Sequence, residues 1–298
     1  MWFFIQLLGG EMTSYLAAVA LLTAIIHLIN TLIYAVRLAG VRTQRLATAL
    51  SLFQVIFLIA SMANLIQAPL MSSIVENAIN AGLKYNGSLD LLTNTFYQSQ
   101  LVILERQVRL VILASTAGTI LGSLLIPSAV NIFVRGIMLL EDIGSVPRIF
   151  LKMLLSPRLL VRLTKEVKFP LPVRFRDSLR EPLRIPMFFL LANIFITGIW
   201  TTGVLSSLYA GALNPQFRST AAFTSGIVNG VATVLAATVV EPTAAMITDQ
   251  ALRGAREEKD VRQMAIYLAL TRLIGTLLAQ AIFLPGAWVI VYVVKLIT

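Results

Sequence analysis

Six apolar segments, each about 20 residues or longer, constrain the fold more than any other feature of this sequence. They lie at about residues 14–36, 46–68, 107–127, 186–209, 220–248 and 264–294. A helix of about 20 residues crosses a hydrocarbon core, and in lipid the backbone must satisfy its own hydrogen bonds. Only 13% of the residues are charged, whereas soluble domains have about 25%. The sequence excludes a water-soluble fold and predicts an all-α, polytopic integral membrane protein with about six transmembrane helices.

The distribution of basic residues predicts how these spans are oriented. Of the 24 Lys and Arg residues, three follow the first span, ten lie between residues 148 and 184, and four follow the fifth span. These seventeen share one side, only Lys84, Arg218 and Lys295 fall on the other, and the remaining four lie in or beside the spans. Because cytoplasmic loops collect Lys and Arg, both termini are expected outside. Topology accounts for most of the net charge of +10, so no nucleic-acid partner is expected.

A basic loop separates two halves of a single membrane domain. Half one covers about residues 1–142, the loop 143–184, and half two about 185–298. Within the loop, residues 149–167 interleave apolar side chains with Lys152, Arg158, Arg162 and Lys165, which is typical of a helix in the headgroup plane. We therefore expect contact with anionic phospholipid. The segment is either an anchor and orientation signal or a surface that recruits a lipid substrate.

The second and fifth spans resemble each other when aligned on their prolines. Three pairs share the same spacing: Arg45 with Arg218, Pro69 with Pro242, and Glu76 with Asp249. A weaker match pairs Gly118 with Gly275. With three spans in each half, such a repeat places the halves in opposite orientations, as in many secondary transporters. The sequence favours a 3+3 inverted repeat, and chance similarity between two apolar helices is the alternative.

One helical stripe of the first span is polar. His27, Asn30, Tyr34 and Arg37 fall at i, i+3, i+7 and i+10, so they share a face that has to meet protein or a cavity. The histidine is either a hydrogen-bonded packing residue or a proton relay or headgroup contact.

Arginines within the spans are the strongest candidates for a binding site, because each costs roughly 2.5 to 3.5 kcal/mol at the bilayer centre. One interpretation is a structural network in which Arg272 pairs with Asp249 or Glu241. The other is a cavity that holds an anionic headgroup through bidentate hydrogen bonds. Under this second hypothesis the substrate-binding residues are His27, Arg37, Arg106, Arg109 and Arg272, with Glu76, Glu241 and Asp249 as their charge partners.

The absence of several sequence motifs argues against common classes of enzyme chemistry. The chain has no cysteine and one histidine, and it has no phosphate-binding loop, zinc-protease motif or nucleophile elbow. We expect a transporter that is not an enzyme and that needs neither a metal nor a cofactor.

Residues 26–70 resemble the Amj family of bacterial lipid II flippases, the alternate to the MurJ flippase. The positions that carry the resemblance are His27, Thr31, Tyr34, Arg37, Gly40, Arg42, Thr43, Gln67 and Pro69. The resemblance implies translocation of a lipid-linked pyrophosphate sugar, the undecaprenyl-linked peptidoglycan precursor, to the outer leaflet of the bacterial cytoplasmic membrane.

Two other classes of function stay open. A secondary transporter of a small anion or drug-like solute would share the repeat and the buried charges. A non-transporting protein, either a lipid-modifying enzyme or a scaffold for cell-wall synthesis, is the third. A flippase needs a cavity open sideways to lipid, a solute carrier needs a closed pocket, and a scaffold needs neither.

Overall fold

The computed structural model describes residues 14–86, 91–145 and 184–298, together with Arg148 and Pro182. This part of the chain is almost entirely helical, and no strand occurs in it. Six stretches are long and apolar enough to cross a membrane, which confirms the prediction of an all-α membrane protein with six spans. The amphipathic segment expected at 149–167 lies outside the described residues.

Five of the spans are single helices. They are α1 (Ser14–Thr43), α2 (Leu46–Asn86), α3 (Thr95–Ile143), α4 (Met187–Leu213) and, last in the chain, α8 (Glu258–Ile297).

The fifth span is interrupted. After a short 3₁₀ turn at Pro215–Phe217 it consists of α5 (Arg218–Phe223), α6 (Ser225–Leu235), a π-helical turn at Ala236–Val240 and α7 (Glu241–Leu252). Pro242 has no N–H to donate within a helix, and its ring crowds the preceding turn. A wide turn before a proline relieves this crowding, and π turns of this kind occur often at functional sites.

Several helices extend beyond the apolar segments that predicted them. The longest is α3, with 49 residues, or roughly 70 Å at 1.5 Å per residue. The second and third spans are predicted to end at about Pro69 and Pro127, but both prolines lie inside the helices. Other predicted spans end beside charged residues, and a helix continues past charged residues once it leaves the hydrocarbon. Helices also flank the loop between the second and third spans, since α2 ends at Asn86 and α3 begins at Thr95.

Close approach between backbones holds the helices of each half together. In half one, a Cβ on Gly118 of α3 would lie 2.1 Å from the carbonyl oxygen of Ala24 in α1. In half two, a Cβ on Gly275 of α8 would lie 2.6 Å from the carbonyl oxygen of Ile194 in α4. Small residues at such crossings allow the tight packing by which membrane helices associate.

Ion pairs gather at one end of the bundle, here called the basic end. They are Arg42 with Glu258 at 2.8 Å, Arg45 with Glu141, and Arg184 with Asp260 at 3.7 Å. At the opposite end, the Tyr97 hydroxyl donates a hydrogen bond of 2.7 Å to the carbonyl oxygen of Ala212. Each end also has its own cluster of buried apolar side chains.

The inverted repeat stays a prediction. Val75 and Ile79, which flank Glu76, belong to the apolar cluster of the opposite end. Ile247 and Ala251, which flank Asp249, belong to the cluster of the basic end. This placement is the one that opposite orientations of the two halves require.

Candidate functional site

A cavity lies between α1, α2 and α4, near the middle of α1. The empty space at this site is about 460 Å³ when the volume open to the outside is included. Its lining residues are Thr23, Ile26, His27, Asn64, Gln67, Ala68, Met71, Trp200, Thr201, Val204 and Leu205. The Gln67 amide donates a hydrogen bond of 2.6 Å to the Thr23 hydroxyl, which joins α1 to α2 at the wall of the cavity. Halves one and two both contribute to this site.

His27 is the ionisable side chain that lines the cavity. It is 8% exposed, and its Nδ1 atom has no hydrogen-bond partner among the described residues. Two other residues of the polar stripe predicted on α1, Tyr34 and Arg37, are also buried, with exposed fractions of 6% and 5%. At the Nδ1 nitrogen, the interpretation of His27 as a hydrogen-bonded packing residue finds no support among the described residues.

Arg272 of α8 carries a charge that no carboxylate in the described part of the chain neutralises. Its side chain is 6% exposed, and its Nε atom is buried without a hydrogen-bond partner. The guanidinium is close enough to His27 to act on it electrostatically. A charge held this way costs free energy in every state in which it lacks an anion.

The carboxylates expected beside Arg272 bind other arginines instead. Glu241 accepts a hydrogen bond of 2.5 Å from Arg37, and Asp249 pairs at 2.6 Å with Arg253. The Arg37 pair joins α1 to the start of α7, directly after the π-helical turn. The structural network proposed around Arg272 is thus absent from the described residues.

Arg109 has partners on two helices. It pairs with Glu105 at 2.8 Å and donates a hydrogen bond of 3.0 Å to the carbonyl oxygen of Gln280. The Gln280 amide donates in return to the Arg109 carbonyl oxygen at 2.9 Å. The guanidinium also lies 5.8 Å from the centre of the Phe283 ring, within the range of a cation–π contact.

The eight candidate residues therefore do not meet in one cavity. The structure places His27 within electrostatic range of Arg272 and Arg37 against Glu241. Arg109 lies in a separate set of contacts, and Arg106 and Glu76 are exposed. Sequence reasoning did not single out Thr23, Trp200 or Thr201, which line the cavity. The spacing of Thr197 and Thr201 on one face of α4 was the available signal.

These features define a class: a multi-pass helical membrane protein with a polar cavity and a buried, uncompensated cation in its membrane region. The model of the Amj family, described as alternate to MurJ, matches residues 22–294. The chain belongs to the Amj family, as its N-terminal spans predicted.

One relative is similar along nearly its whole length. The lipid II flippase Amj of Bacillus subtilis (strain 168) is 35% identical over 272 residues, which cover 91% of this chain and 93% of the relative. No solved structure matches the chain.

Proposed function

We propose that this protein is a lipid II flippase of the bacterial cytoplasmic membrane. It moves the undecaprenyl-pyrophosphate-linked peptidoglycan precursor from the inner to the outer leaflet. The observation that carries the proposal is its similarity to the Bacillus subtilis flippase over 91% of the chain. Similarity over all six spans covers the residues of the cavity as well as the fold.

The form of the cavity supports transport of an amphiphile. His27 and Gln67 give the cavity polar walls, while Leu65 and Ile66 of α2 beside it are 72% and 54% exposed. A polar headgroup is thus accommodated next to a surface that faces lipid chains. The cavity is far too small for a disaccharide pentapeptide, so passage of the substrate requires the surrounding helices to move apart.

In this proposal the basic residues have two different roles. Arg37 and Arg109 already have partners, and they hold neighbouring helices together until the substrate displaces those partners. For Arg37 that partner is Glu241. His27 and Arg272 face the substrate pyrophosphate itself. Arg106, which is exposed, contacts headgroups at the opposite end.

Further features of the proposal concern the membrane. Both termini lie outside, so the basic end faces the cytoplasm, and the basic loop at 143–184 contacts anionic phospholipid. The distribution of Lys and Arg supports both assignments.

Genetic rescue tests the function. The gene is expressed in a bacterial strain that can be depleted of its own lipid II flippases, and outer-leaflet lipid II is scored by its accessibility to an enzyme added outside. We expect growth and accessible lipid II to be restored. If the depleted strain contains normal amounts of this protein in its membrane but shows no accessible lipid II, the result would contradict the proposal and favour a scaffold. Uptake of a small anion without movement of lipid II would favour a solute carrier.

A further inference from the structure

Arg272 differs from the other fully buried arginine of the described residues. Arg37 is buried to a similar extent, but Glu241 neutralises it at 2.5 Å. Arg272 is 6% exposed and has no carboxylate partner in the part of the chain that the structure describes. A permanent charge in the membrane region without a counterion indicates a site whose counterion comes from a ligand.

Two further polar atoms without partners lie on the helices around Arg272. The Nδ1 atom of His27 in α1 and the hydroxyl of Thr197 in α4 are both buried without a hydrogen-bond partner among the described residues. The Cβ atom of Thr197 packs against Gly275, one turn along α8 from Arg272. A guanidinium and a hydroxyl donate hydrogen bonds, and a neutral imidazole donates from the nitrogen that carries its proton. Three helices therefore present polar atoms that can donate to an anion and that have no partner among the described residues.

We propose that Arg272, His27 and Thr197 form a binding site for a phosphate oxyanion of an isoprenyl-linked pyrophosphate. This assignment rests on the proposed function and specifies the part of the substrate that the site holds. The ligand enters through the cavity that His27 lines, next to the lipid-facing side chains Leu65 and Ile66. A guanidinium binds two phosphate oxygens at once through its planar fork, which a lysine cannot do.

Trp200 offers a built-in reporter because it lines the same cavity. The chain has three tryptophans, so the double variant W2F/W288F leaves Trp200 as the only one. The full-length protein is purified, placed in nanodiscs of neutral phosphatidylcholine, and titrated with farnesyl pyrophosphate. Inorganic pyrophosphate, farnesol and phosphatidylglycerol are titrated in parallel.

We expect a saturable change of Trp200 fluorescence with farnesyl pyrophosphate. Arg272→Met and His27→Phe should each weaken the affinity by about tenfold or more, and Arg272→Lys should weaken it less than Arg272→Met does. Arg218→Ala is the matched control, because Arg218 is exposed and lies outside the site. It should leave the affinity unchanged.

Thermal unfolding separates a ligand site from a structural role. Removal of an uncompensated buried charge should raise the unfolding temperature of ligand-free Arg272→Met by about 2 °C or more. The same variant should lose the further stabilisation that farnesyl pyrophosphate gives the parent. A lower unfolding temperature of the ligand-free variant would overturn the proposal, because Arg272 would then be holding the helices together.

Other outcomes are equally decisive. Unchanged affinity in Arg272→Met overturns the site. Equal or tighter binding of inorganic pyrophosphate or phosphatidylglycerol than of farnesyl pyrophosphate overturns the assignment to an isoprenyl-linked ligand. If rescue of the depleted strain fails while binding still depends on Arg272, the flippase function fails and the site stands. If rescue succeeds and binding is independent of Arg272, the site alone fails.

Discussion

At the scale of single residues, arginines that look equivalent in the sequence differ in their burial and in their carboxylate partners. Arg37 and Arg272 are both buried, yet among the described residues only Arg37 meets a carboxylate. Arg42, which pairs with Glu258, is itself 35% exposed, whereas the Arg37 side chain is 6% exposed. Exposed ion pairs contribute little because water and salt screen them. The pairs around the bundle therefore differ in their effect on stability.

Glu241→Gln should lower stability more than Glu258→Gln does. The first change leaves the buried Arg37 facing a neutral amide, and we expect a loss of about 1 to 3 kcal/mol. The second affects an exposed pair, with an expected loss below about 1 kcal/mol. Thermal unfolding of both variants in the same detergent measures the difference. Equal losses of stability would mean that the Arg37–Glu241 pair contributes no more than the exposed Arg42–Glu258 pair.

At the scale of elements, glycines set the distance between helices. Gly118 and Gly275 stand where α3 crosses α1 and where α8 crosses α4, and at both places the facing atom is a backbone oxygen. A backbone cannot move aside as a flexible side chain does. The two crossings are therefore rigid parts of their respective halves.

Gly118→Ala should push α3 away from α1. The added methyl would lie 2.1 Å from the Ala24 oxygen, and overpacking of this kind costs about 1 to 3 kcal/mol. Gly230→Ala in α6 is the control, because a Cβ there meets nothing within 4 Å. Alanine also favours a helix over glycine by about 1 kcal/mol. We expect Gly118→Ala to reduce folded protein in the membrane and Gly230→Ala to leave it equal or higher. A normal yield of Gly118→Ala would show that the crossing can relax.

At the scale of the whole molecule, charge and topology belong together. The described ion pairs of the basic end link residues that follow or precede five different spans. The positive-inside rule places such an end in the cytoplasm. With six spans, we then expect both chain termini outside.

Single cysteines in this cysteine-free chain test the orientation. A membrane-impermeant thiol reagent added to intact cells should label a cysteine at position 87 and spare one at position 172. As a control for reactivity, the cysteine at position 172 should be labelled once the cells are opened. If position 172 is labelled in intact cells, the topology is inverted.

The inverted repeat also makes a prediction at this scale. We expect the two halves to superpose with opposite orientation, so that Pro69 falls on Pro242 and Glu76 on Asp249. An experimental structure in a lipid nanodisc, in which the bilayer is visible, gives the depth of each residue. If Glu76 and Asp249 lie at the same membrane surface, the repeat is an accident of apolar composition.

The sequence by itself determined the helical membrane fold, the number of spans and the family. Lipid as a solvent admits few backbone structures, so the length and spacing of apolar segments suffice for the first two. The family follows from local patterns such as His27, Tyr34 and Arg37 on α1. These features depend on neighbours within one or two turns of a single helix, and such neighbours are readable in one dimension.

Only the tertiary structure decided which charges meet. Nothing in the local sequence identifies Glu241 as the partner of Arg37, which lies 204 residues away. Nor does it show that Arg272 meets no carboxylate in the described part of the chain. Such pairings depend on the rotation of each helix about its axis, and the π-helical turn before Glu241 changes that rotation in the fifth span. The cavity likewise requires α4 to pack beside α1 and α2. Contacts between helices distant in sequence are set by packing, so the site became visible only when the bundle was assembled.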